Sequence, residues 1–201
     1  MVFNSASLSG SEHLARLNYW GDLLDEAVAV LENEGGIKAD FSRSSVEAFW
    51  RWLRSQLAYG PYFHNSQDPL DTMPETLPEW SKIRGLWVVR KMVTLENLKL
   101  IGYLARYYGE CLKLQVPEAE WLVWTWSDPD NVVMHEGEIA LAVPLPPHLH
   151  RDFDYTSPVF PISDVSVMVS RSLDKSPEST ELIKSYDLRL VDLQQSVARA
   201  Q

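Results

Sequence analysis

The first strong periodicity lies in "SEHLARLNYWGDLLDEAVAVLENEGG", where Leu14, Leu17, Gly21, Leu24, Val28 and Leu31 recur at spacings of three and four. That recurrence predicts a helix with these residues on one face. Ser11 stands where an N-cap belongs, and Gly35-Gly36 marks the end. A second helix is predicted in "SSVEAFWRWLRSQLAYG". Its stripe is Val46, Phe49, Trp50, Leu53 and Leu57, Ser44 and Glu47 have the spacing of a capping box, and Glu47 and Arg51 form an i,i+4 pair on the outer side. From Gly60 to Pro78 the prolines 61, 69, 74 and 78 predict a loop. Residues 79–93 hold an apolar centre between Lys82, Arg84, Arg90 and Lys91 and are read as a helix.

The clearest helix runs from Thr94 to Gln115 in "TLENLKLIGYLARYYGECLKLQ". Leu98, Ile101, Ala105, Tyr108 and Leu112 form its stripe, widened by Leu104 and Cys111. Gly102, Ala105 and Gly109 put small residues along one side. A helical glycine costs about 1 kcal/mol against alanine, so these glycines predict that another backbone approaches closely.

The period then changes from near four to two. "EWLVWTW" predicts a strand with Leu122, Trp124 and Trp126 on one face and Trp121 and Val123 on the other. "SDPDN" reads as a turn, and "VVMHEGEIALAVP" supplies a returning strand, with room for a third around Glu136-Gly137. Beyond the proline-rich "PLPP", Asp164 is expected to cap a short helix in "ISDVSVMVSRSL", and a last helix is expected over Ser179 to Ala198. The predicted class is α+β: a helix-rich N-terminal half, a small antiparallel sheet packed on the long central helix, and C-terminal helices.

The length of 201 residues fits one domain, within which residues 1–60 form a helical part and residues 79–201 an α+β part. Apolar residues make up 45% and charged residues 23%, the balance of a globular chain. Eight tryptophans, mostly within apolar patterns, point to an aromatic core. No apolar run approaches the roughly 18 residues of a membrane span, and the first residues lack the charged and apolar regions of a signal peptide. Cys111 is the single cysteine, which matches a reducing compartment. A cytoplasmic location is expected.

Charge sharpens the picture. The formal net charge is −10, and residues 114–164 hold one base against nine acids. Such a field favours a basic partner and opposes nucleic acid. The basic stretch 82–113, with Trp87, Tyr103, Tyr107 and Tyr108, has the composition of a single-strand-binding surface, but its charges are dispersed along apolar stripes.

Candidate chemistry is sparse. In "PPHLHRDFDY", His148, His150, Asp152 and Asp154 alternate, so an extended chain would point all four the same way. These are ligand types for zinc, iron or manganese, and His64 and His135 can be brought to them from elsewhere. The prolines before His148 favour a loop, and a solvated polar edge is the plainer reading. Cys111 reads as a buried thiol within a helix stripe. Glu110, Glu136 and Glu138 have the residue type of general acids and bases, but their spacing does not set them apart from hydrophilic turn residues. Phosphate-binding loops and the nucleophile elbow are absent from the sequence. No cofactor is expected.

The segment Leu98 to Leu173 resembles a recurrent arrangement in small bacterial proteins, through the helix ending "YYGECL", the strand "EWLVW", the returning strand "EIALAVP" and the helix "ISDVSVMVSRSL". Proteins of that arrangement include immunity proteins of polymorphic toxin systems. The resemblance rests on Gly109-Glu110 and Trp121 and carries over no catalytic residue. It implies a toxin as the partner.

The expected function is therefore non-enzymatic binding of a basic protein partner. Asp128, Asp130, Glu136 and Glu138 are expected to project from the turns of the sheet, with Trp124 and Trp126 as anchors. A metal-dependent enzyme centred on His148, His150, Asp152 and Asp154, and a structural subunit of a larger assembly, stand as alternatives.

Overall fold

A computed structural model describes residues 10–58, 93–124, 137–146, 158–173 and 182–201. Among them are five helices and a two-stranded antiparallel sheet: α1 (Gly10–Asn33), α2 (Arg43–Gln56), α3 (Leu95–Gln115), β1 (Glu120–Val123), β2 (Ile139–Ala142), α4 (Pro161–Leu173) and α5 (Leu182–Ala200). The chain is α+β, with α3 at its centre in contact with α1, α2, α4 and α5.

Thr94 caps α3, its hydroxyl accepting from the Asn97 N–H at 3.2 Å. The expected stripe from Leu98 to Leu112 is buried throughout, and so are Leu104, Tyr107 and Cys111. Burial spreads round most of the helix because four others surround it. Asn97, also buried, spends its amide on α2, donating to the Gln56 carbonyl at 2.9 Å and accepting from the Ala58 N–H at 2.7 Å.

α1 buries Trp20, Leu23, Ala27 and Leu31. This face is rotated from the expected one: Leu14 is 60% exposed, and a Cβ on Gly21 would meet nothing within 4 Å. Leu17, Leu24 and Val28 pack only at its margin. The helix ends where expected, with Gly36 at φ 62° and the Ile37 N–H returning to the Leu31 carbonyl at 3.1 Å.

The stripe of α2 is as expected, but its cap is Ser42, whose hydroxyl accepts from the Ser45 N–H at 3.1 Å. Ser45, inside the first turn, shares a 2.7 Å hydrogen bond with the Tyr107 hydroxyl on α3. That oxygen also accepts from the Phe41 N–H at 2.9 Å, and the Phe41 ring stacks on Tyr107 at 5.0 Å. Phe41 stands at φ 55°, strained for a bulky residue. Tyr107 holds it there and so sets the register of the cap. Glu47 pairs with Arg51 as expected.

β1 and β2 pair with Trp121 opposite Leu141 and Val123 opposite Ile139, and Leu141 also bridges Val159. β1 lies against α1 and β2 against α4. All four residues of β2 are buried, which explains why "IALA" shows no alternation. Gly109 is tightly packed, as expected, but its neighbour is a side chain: a Cβ there would lie 2.2 Å from the Trp121 ring and 3.0 Å from Pro161.

α4 begins at Pro161, so Asp164 lies inside its first turn rather than capping it. Asp164 accepts two hydrogen bonds from the Arg189 guanidinium of α5, at 2.9 and 2.8 Å, and one from the Tyr108 hydroxyl at 3.3 Å. Burial, with the Asp164 charge second, holds the Tyr108 phenol well above the usual tyrosine range. α5 is described over Leu182–Ala200, and the expected start at Ser179 lies outside the described residues. The predicted helix over 79–93 lies outside the described residues except for Val93.

Candidate partner-binding surface

Of the residues expected to form the acidic binding face, Trp124 and Glu138 fall within the described structure, and both are inside it. Trp124 is 8% exposed and Glu138 fully buried. Their backbones close the open end of the sheet. The Trp124 N–H donates to the Glu138 carbonyl at 2.7 Å, and the Gly137 N–H donates to the Trp124 carbonyl at 2.8 Å. The Glu138 carboxylate then reaches α4, accepting from the Ser163 N–H at 3.0 Å and from the Ser163 hydroxyl at 2.9 Å.

This reverses the expectation that Glu138 projects into solvent, and the reason is electrostatic. The first turn of a helix has N–H groups without intrahelical partners and a positive dipole end. A carboxylate delivered from the residue before β2 satisfies one of them at α4. Trp124 meets Phe160 edge-on at 5.9 Å and belongs to the same junction. Neither residue is available as a surface anchor. Asp128, Asp130, Glu136 and Trp126 lie outside the described residues, as do His148, His150, Asp152 and Asp154.

A different acidic surface is in view. α1 turns Asp22, Asp25 and Glu26 outward, all exposed, at helical spacings of three and four. The chain has five acids and no Lys or Arg between Arg16 and Lys38. Arg16 itself is directed at the sheet, donating to the Gly137 carbonyl at 2.9 Å. Among the described residues neither Asp22 nor Asp25 has an ion-pair partner. Tyr19 and Leu14, 40% and 60% exposed, lie on the same side. At the edge of this face the Tyr103 hydroxyl of α3 donates to Glu26 at 2.8 Å. Partial burial, and then that bond to a carboxylate, push the phenol up to about 12.

The face is fixed in orientation from below. Arg106 on α3 is buried and donates through Nε to the Trp20 carbonyl at 2.7 Å and through Nη1 to Glu110 at 2.5 Å. Its guanidinium lies 5.9 Å from the Trp20 ring and 5.1 Å from that of Trp121. The two indoles meet edge-on at 5.6 Å, and the Trp121 Nε1–H donates to Glu110 at 3.3 Å. One cation thus joins α1, α3 and β1. The buried side of α1 cannot rotate outward without breaking that junction, so the acids stay in solvent.

Cys111 and Glu110 are among the nucleophilic and acid–base candidates that the structure describes. Burial drives the Cys111 thiol far above its ordinary range, so it is held as a neutral thiol. Glu110 is engaged with Arg106 and Trp121. Among the described residues no group of three or more His, Cys, Asp or Glu is placed to hold a metal, and no helix is long and apolar enough to cross a membrane. The α1 face was missed from sequence, although the base-free run from 17 to 37 was the signal for it. Comparison with protein families, curated proteins and solved structures finds no match to this chain.

Proposed function

We propose that this protein is a non-enzymatic binding protein that holds a basic protein partner through an acidic surface. The observation that carries the reading is the outer face of α1, where Asp22, Asp25 and Glu26 are exposed beside Tyr19 and, among the described residues, Asp22 and Asp25 have no ion-pair partner. Carboxylates in high dielectric contribute little static stability to the fold. Their field acts at range, raising the rate of encounter with a cationic surface. Tyr19 supplies an aromatic contact of the kind found at interface centres.

Asp128, Asp130, Glu136 and Trp126 extend the proposal as further parts of the acidic surface, on the strength of the charge carried by residues 114–164. Neutralisation of a toxin is the most specific form of the reading, and it rests on the resemblance over Leu98 to Leu173. A cytoplasmic location goes with it.

The test pairs two charge reversals, Asp22→Lys with Asp25→Lys and Asp128→Lys with Asp130→Lys, in the full chain. A partner captured from the source cell is identified and its association with each variant is followed at low and high salt. A basic partner whose association slows about tenfold at low salt on reversal at α1, with the difference fading as salt rises, is the expected result. An acidic partner, or an association rate that neither reversal changes, would overturn the reading.

A further inference from the structure

We draw no further inference here: the strongest candidate, the exposed apolar pair Leu188 and Val191 on the outer side of α5, carries nothing because no feature of the structure shows what covers it.

Discussion

α1 and α3 are the two longest helices among the described residues, and both carry a helical stripe in sequence, yet only one stripe matches the buried face. α3 is enclosed by four helices, so almost any stripe drawn on it is buried. α1 has one partner face and one free face, and there the choice of stripe matters. Leu14, Leu17, Gly21, Leu24, Val28 and Leu31 suggested one rotation; Trp20, Leu23, Ala27 and Leu31 took the core instead. The decision came from Trp20, which has a large area to bury and a buried arginine to meet. A stripe inferred from spacing is weakest where a helix is covered on one side only. That is also where functional surfaces are found.

The contrast between an enclosed helix and a half-covered one can be broken at its tightest contact. Gly109→Val places a branched side chain where a Cβ alone would lie 2.2 Å from the Trp121 ring. The ring is held by strand pairing and by Glu110, so it has little room to move. A loss of about 3 kcal/mol or more is expected, at the upper end of overpacking, read as a lowered denaturant midpoint. An unchanged midpoint would mean that α3 is not closely packed on that side.

Arg106→Ala attacks the junction between the two helices. It strips Glu110 of its cation in a site where the arginine side chain is 6% and the glutamate 17% exposed. Removing one member of a buried pair leaves the other uncompensated, and a loss of about 3 kcal/mol is expected. Arg106→Lys should recover part of it, keeping the charge but not the fork that reaches both Trp20 and Glu110. Near-UV dichroism of the two indoles should change in both variants.

The boundary between the helices is also sensitive to alkali. The Tyr103 phenol is raised from its ordinary value near 10 to about 12, by burial first and by Glu26 second. A group whose proton is held more tightly in the folded state stabilises it below the unfolded value and loses that contribution as pH climbs through the folded one. The stability advantage of the wild type over Tyr103→Phe should therefore be constant up to about pH 10. It should shrink between there and pH 12. An advantage independent of pH across that window would show that neither burial nor the Glu26 bond raises the phenol.

The smallest effect is expected on the free face of α1. Asp22→Asn and Asp25→Asn remove exposed charges with no ion-pair partner among the described residues, and each should change stability by no more than about 0.5 kcal/mol. A larger loss, measured by the same denaturant titration, would show that these acids support the fold, and it would weaken the case that they serve a partner.

Much of the architecture was legible because its signals are local. The stripe that opens at Leu98, the Gly35-Gly36 stop and the change of period after Gln115 each depend on residues close along the chain, and they located α3, the end of α1 and β1. Gly109 was legible as a tight contact because glycine inside a helix has a local cost that packing must offset. The identity of its neighbour was not, since Trp121 and Pro161 reach it through the fold.

What the chain left open, the tertiary structure decided through contacts between distant residues. Ser42 rather than Ser44 caps α2 because Ser45 and Phe41 meet Tyr107, 62 and 66 residues further on. Glu138, charged and next to a glycine, has every local mark of an exposed turn residue. It is buried because Ser163, 25 residues away, presents the first turn of α4 with an N–H to satisfy. Periodicity and capping constrain a residue's neighbours along the chain, whereas the burial of a charge depends on which dipole or counter-charge the fold brings to it. α1 follows the same rule: its sequence made a helix, and the Arg106 junction chose which of its faces would meet solvent.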